Sequence, residues 1–248
     1  MYVERFYRNG LNQSCEQRRI SVRQTDLAVL LPPVIWQDKP NLEQKIYGLM
    51  TDLRLTLEDY IKINPLFYSS HKPLSVTCSA PPMAVAMARA AASCGVGPMA
   101  AVAGAFAQEV GEYLQQFAAE GLVENGGDIY LWGEKEHKVG IFAGKSPFSG
   151  QIALRLAGGK PLSVCTSSGT VGPSFSYGVA DAAVLVAEDA YLADAAATAT
   201  ANLVQTADDV KKAADFAAKI PGICGALVIK DDKLAAWGNL EIVPIVQD

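Results

Sequence analysis

The stretch from Thr166 to Asn202 constrains this chain more than any other. It opens as a Ser/Thr/Gly loop, TSSGTVGP, passes through the apolar run DAAVLVAE and ends in ADAAATATAN. The run from Val179 to Ala187 predicts a buried strand, and the alanines after it predict a helix. Asp194 and Thr198 stand four apart in that helix, so they share one face with only alanines between them. Both are poor helix formers, which leaves two readings open. The helix packs through its alanines while Asp194 and Thr198 make local hydrogen bonds, or the carboxylate and hydroxyl point together at one ligand. On the second reading the small loop residues let backbone N–H groups approach an anion. The paired oxygens then suit a hard divalent cation that keeps substrate phosphates among its ligands.

The remainder of the chain alternates strand and helix signals. Tyr2 to about Leu31 reads as strands: Arg19 to Arg23 alternates polar and apolar, Gln24-Thr25-Asp26 turns it into Leu27 to Leu31, and Pro32-Pro33 closes the hairpin. Apolar residues spaced by three or four from Leu42 to Ile61 predict a long amphipathic helix over Asn41 to Lys62, stopped by Asn64-Pro65. Leu66 to Ala80 reads as a loop. Pro82 opens a second helix that ends in glycines and Pro98. A third carries the stripe Val102, Phe106, Val110, Leu114 and Phe117, with Gly121 as its expected cap. Short strands around 122–124, 128–132, 138–142, 152–156 and 162–165 then suggest an antiparallel meander. A helix over Ala207 to Ile220, capped by Thr206 with Asp209 reaching back, precedes three closing strands near 226–230, 233–237 and 242–245. This order implies an α+β fold of antiparallel sheets packed by long helices, with residues 1–248 forming one domain or two intimately packed sub-domains.

Composition excludes several functions. Half the residues are hydrophobic and 19% charged, which describes a chain with a buried core. A net charge of −5 with scattered Lys and Arg argues against nucleic acid as a partner. The five cysteines lack any C-x-x-C pair and read as reduced thiols, so a cytoplasmic location is expected. The N-terminus has no signal-peptide core, and the apolar region from Cys78 to Ala107 is interrupted by prolines, glycines and Arg89, so no membrane span is expected. His71 and His137 are the only histidines, too few for a multi-histidine metal site, and both read as surface residues. Ser-His-Asp order, a Walker loop and G-x-G-x-x-G are all missing. The alanine-rich helices would suit a subunit interface, hence a homo-oligomer.

Two further segments carry chemistry. Glu124-Asn125-Gly126-Gly127-Asp128 has the composition of a hairpin turn, and it also permits a ligand to approach the glycines while Asn125 or Asp128 hydrogen-bonds it. Thr166, Ser167, Ser168, Gly169 and Thr170 could cradle a pyrophosphate or form a polar surface loop. Cys165, just before them, reads as a small buried residue with no local base to activate it.

Taken in order, AAVAGAFAQE (100–109), ENGGDI (124–129), CTSSGT (165–170) and ADAAATAT (193–200) resemble the ApbE family of flavin transferases, whose motifs are G-x-A-K-G-Y-A-x-D, N-x-G-G-[DN], T-S-G and D-A-x-x-T. The resemblance covers the middle and last thirds of the chain, and D-A-x-x-T after T-S-G is its specific part. It implies an ApbE-like α+β fold and FAD lying across the glycine turn and the T-S-G loop. By position, Asn125, Gly126, Gly127, Asp128, Thr166, Ser167, Ser168 and Gly169 would bind the nucleotide. Mg2+ would be held by Asp194, Thr198 and the Ala103 carbonyl. The implied function is FMN transfer from FAD or FAD hydrolysis; the alternative is a non-catalytic ligand-binding or accessory protein. Two departures bear on that choice. Gly104 stands where the family has lysine, and the segment between T-S-G and D-A-x-x-T lacks the family's histidine and D-P-x-T-G. Tyr177, Asp181 and His71 are the remaining candidates for acid–base work.

Overall fold

β1 (Glu16–Val22), which turns Ile20 and Val22 inward, pairs with the wholly buried β2 (Thr25–Leu31) in an antiparallel hairpin. In this computed structural model, which describes residues 15–171 and 176–245, the chain reverses at Arg23-Gln24, one residue before the expected turn. Arg23 takes the positive φ of 54° that a two-residue hairpin needs. Asp26 belongs to the strand because its carboxylate accepts hydrogen bonds from Arg19 and Ser21 across the pair. The strand expected before residue 15 lies outside the described residues.

Pro33 does more than close the hairpin, since it opens α1 (Pro33–Asp38). Next, α2 (Leu42–Ile63) buries Leu42, Ile46 and Leu57 of its predicted stripe, with Met50 beside them and Leu49, Leu53 and Ile61 half-buried. Part of the expected loop after it forms a single turn, α3 (Leu66–Ser69). Helix α4 (Pro82–Cys94) ends on Gly95 at φ 73°. A 3-10 turn at Pro98–Ala101 leads into α5 (Val102–Leu114), which stops well short of Gly121. Gly121 is not a cap: it opens β3 (Gly121–Asn125), where a Cβ would meet the Trp132 ring at 2.4 Å.

The remaining elements are β4 (Asp128–Gly133), β5 (His137–Gly140), β6 (Ile152–Leu156), β7 (Gly159–Ser167), β8 (Ala182–Ala187), α6 (Ala190–Asn202), α7 (Val210–Ala217), β9 (Ile223–Lys230), β10 (Lys233–Gly238) and β11 (Glu241–Pro244). The capping box joining Thr206 and Asp209 forms as its sequence requires, on a 3-10 turn ahead of α7. Eight strands make an antiparallel sheet in the order β1-β2-β3-β4-β7-β8-β9-β10. The meander is broken, because β4 pairs directly with β7 while β5 and β6 join β11 in a separate three-stranded sheet. Val139, Leu154 and Leu156 of that small sheet cover Leu30, Leu131, Val184 and Ile229 on one face of the large one. The opposite face, including Val29, Val123, Cys165, Leu185 and Val228, packs against the helices. His137 is drawn inside by this second sheet, against the expectation of a surface residue, and its burial pushes the imidazole pKa down.

Helix α6 is the closest-fitting element. Asp189 caps it by accepting from the Tyr191 and Leu192 amides, and Ala193, Ala195, Ala196, Ala197 and Ala201 have no exposed surface. Among the described residues no single helix is long and apolar enough to cross a membrane.

Candidate functional site

Antiparallel pairing brings the Gly126-Gly127 turn, the loop after β7 and the β9–β10 turn to one end of the large sheet. Helix α6 returns to that end: the Asn202 side chain accepts from the Tyr177 amide at 2.9 Å, and the Val179 amide donates to the Val204 carbonyl.

Asp194 is 8% exposed and points at the start of α5. Its Oδ2 accepts the Gly104 amide at 2.8 Å, and the Ala103 amide also bonds to it. The cap residue of α5 is Ala101, which has no capping side chain, so Asp194 caps this helix from another one. Contact is close enough to require glycine: a Cβ on Gly104 would lie 2.3 Å from the Ala190 carbonyl oxygen and 2.9 Å from the Asp194 Cβ. The family's lysine could not be housed there.

The neighbouring motifs connect to the same point. Asn125 Nδ2 donates to the Ala103 carbonyl at 3.0 Å. Asp128, also buried, accepts the Thr166 amide at 3.1 Å, while the Cys165 thiol donates to the Ala190 carbonyl. Gly127 abuts Thr166, with 3.9 Å from its Cβ position to that carbonyl oxygen, and its amide donates to the fully buried Glu124. Ala103, Asn125, Gly127, Asp128, Thr166 and Asp194 are therefore brought together. Burial pushes the Asp194 carboxyl up to about 7. It pushes Asp128 and the Cys165 thiol well above their usual values, and the charge of Asp194 adds to both effects. Among the described residues no cationic side chain pairs with either carboxylate.

The hydroxyl loop is arranged differently from the expected cradle. Ser168 Oγ donates to the Ala180 carbonyl and accepts the Thr170 and Val171 amides. The Gly169 amide is spent on Ala180, while its α-carbon packs against the Gly178 carbonyl. The donors needed for an anion are thus turned inward, and Thr166 and Ser167 keep the hydroxyls that bond to no described residue. Thr198, one turn beyond Asp194, is half-buried and likewise makes no hydrogen bond to a described residue. Of the acid–base candidates, Tyr177 and His71 meet edge to face at 5.5 Å, and Asp181 is engaged in other bonds. Neither Glu124, which the sequence places in the glycine turn, nor Asn202 is assigned a role by the sequence, although Asn202 continues the i, i+4 series from Asp194 and Thr198.

A separate cleft of about 260 Å3, with Leu53, Leu57, Met83 and Glu109 among its walls, opens between α2 and α4. It is lined by none of the predicted site residues, so the converging motifs define the candidate site.

A family model described as AbpE bacteria matches residues 8–224. The chain belongs to this family. A UPF0280 protein of Methanocella arvoryzae is 43% identical over 190 residues, 76% of this chain and 77% of that protein. Another, from Methanoculleus marisnigri, is 42% identical over 222 residues and 86% of each chain. The crystal structure of Pseudomonas stutzeri flavinyl transferase ApbE in its apo form superposes with a TM-score of 0.55 at 12% identity, covering 90% of this chain and 93% of that one. That likeness shows a shared α+β fold.

Within this AbpE family member, the donor chemistry fits a hard cation. Asp194 offers a carboxylate and Thr198 a hydroxyl, whereas the Ala103 carbonyl, inside α5, takes the Asn125 amide besides its helix bond and could serve a cation only as a shared oxygen. Among the described residues no three His, Cys, Asp or Glu side chains converge on a metal position. A cation would therefore depend on the backbone and hydroxyl oxygens of this set.

Proposed function

We propose that the chain binds a flavin nucleotide, FAD, together with Mg2+ at this end of the sheet, and transfers its FMN portion to an acceptor hydroxyl or hydrolyses it. The observation that carries this reading is the pair of buried carboxylates, Asp128 and Asp194, with no cationic partner among the described residues and with Asp194 held by the Ala103 and Gly104 amides. Asp194, Thr198 and the Ala103 carbonyl would hold the cation. Asn125, Gly126, Gly127, Asp128, Thr166, Ser167, Ser168 and Gly169 would line the nucleotide. When bound, the cation neutralises pyrophosphate charge. The chain's own part is to fix the oxygens, through the α5 amides on Asp194 and the Asn125 bond to Ala103, and to exclude water with the alanine surface of α6. The flavin character of the solved structure with the same fold supports this choice of nucleotide.

A second reading, a binding protein without catalysis, is favoured by one feature. No histidine stands between the hydroxyl loop and Asp194, and Ser168 and Thr170 are already engaged within the protein. Flavin fluorescence measured on mixing the protein with FAD and Mg2+ tests both readings. A change that EDTA reverses supports the site, and accompanying AMP release selects the enzyme. No change with FAD or FMN, with or without Mg2+, would remove both.

A further inference from the structure

Behind the hydroxyl loop lies a buried carboxylate that the proposed site does not use. Asp181 is 5% exposed. Its Oδ1 accepts the Thr170 hydroxyl at 2.8 Å, and its Oδ2 accepts the Asp231 amide at 2.6 Å. Lys230 Nζ lies 3.6 Å away and is shared with the Asp231 carboxylate, which it meets at 2.6 Å. Asp231 occupies the β9–β10 turn with φ 54°, and its carbonyl takes the hydroxyl of buried Ser146 from the β5–β6 connection. Gly144 of that connection presses on the same loop, since a Cβ there would sit 2.8 Å from Val171. The hydroxyl loop and the β9–β10 turn therefore meet at one carboxylate, and the β5–β6 connection braces both.

A buried carboxylate with every oxygen committed holds its donors in one arrangement, because releasing a donor leaves a desolvated acceptor unpaired. Thr170 is two residues from Ser168, whose hydroxyl folds the loop on itself. We propose that Asp181 is a positioning residue: it clamps the hydroxyl loop to the β9–β10 turn, so the shape of the nucleotide site depends on a hairpin that contributes no residue to it. The functional half of this statement rests on the flavin reading above.

Threonine 170 and Asp181 supply complementary tests. T170V removes the loop's bond and keeps the volume, whereas D181N removes the charge and leaves one acceptor where two donors meet it. Amide hydrogen exchange is followed in peptides covering 166–171 and 230–233, and FAD affinity is measured with Mg2+ in the same preparations. Exchange in 166–171 should rise about tenfold in both variants, the worth of one hydrogen bond to a charged group. It should rise in 230–233 only in D181N. The double variant should match D181N alone, because the two changes break one shared bond. FAD affinity should fall about tenfold in each single variant, again the equivalent of one such bond. Unchanged exchange in 166–171 in both variants overturns the clamp, and T170V alone decides this if D181N does not fold. Raised exchange with unchanged FAD affinity overturns the positioning role. A wild type that takes up no flavin would sink the functional reading and the positioning role with it, while the exchange data still decide the clamp.

Discussion

Asp194 and Asp181 are both buried aspartates near one end of the same sheet, and their surroundings differ in kind. Asp181 has a lysine, a hydroxyl and an amide around it, and each oxygen has a partner. Asp194 has two backbone amides from the start of α5, a second carboxylate nearby and a wall of alanine. Among the described residues a lysine reaches Asp181 and no cation reaches Asp194. A buried charge without a counter-ion is costly, so the molecule tolerates at Asp194 what it has settled at Asp181. This contrast is what makes the first a candidate ligand-binding group and the second a fastening.

The harshest test of the Asp194 environment is Gly104→Ala. Its methyl group would overlap the Ala190 carbonyl and the Asp194 Cβ, so a loss of about 1–3 kcal/mol or more is expected in urea unfolding. Wild-type stability would show that α5 and α6 are not in this contact.

Proton linkage comes next. The folded Asp194 carboxyl, raised to about 7 by burial, lies above its unfolded value near 3.9. The folded state therefore holds this proton more tightly. Its contribution to stability is fully present below about pH 4 and is lost as pH rises through about 7. Asp194→Asn removes the titration and keeps an oxygen for the α5 amides. Without divalent metal, the variant should gain stability relative to wild type between pH 5 and pH 8, by a few kcal/mol at about 1.4 per pK step. A constant difference across that range would mean that the proton is not held there. Asp128 and Cys165 share the environment and should respond to the same substitution.

The smallest stability effect is expected at Thr198→Val, which sacrifices no hydrogen bond to a described residue. Its unfolding free energy should stay within about 0.5 kcal/mol of wild type, while Mg2+-dependent flavin binding weakens. A large loss of stability would assign the hydroxyl a structural role instead.

Much of the architecture could be read from the residues because it is locally encoded. The capping box at Thr206, the stripe of α2 and the Gly126-Gly127 turn are each set by neighbours within a few positions. The larger errors involve distant partners. Gly121 looks like a helix cap until Trp132 and Leu31 are packed against it. His137 reads as a surface residue because its strand β5 belongs to a second sheet, packed on the large one, whose third strand β11 lies over a hundred residues away. The same limit applied to the site. Spacing placed Asp194 and Thr198 on one face, but it could not show that Asp194 caps α5. Nor could it show that Ser168 and Thr170 turn toward Ala180 and Asp181, since the partners come from other elements.

The alanines of α6 have a mechanical consequence. With no side chain longer than a methyl group at Ala193, Ala195, Ala196 and Ala197, the helix acts as a shim of fixed thickness between its neighbours. Widening it by even a valine would force the layers apart and lengthen the gap from Asp194 to Gly104 and Asp128 together. The monotony of this segment is thus a tolerance specification, setting the spacing of the oxygens more tightly than any single polar residue among them could.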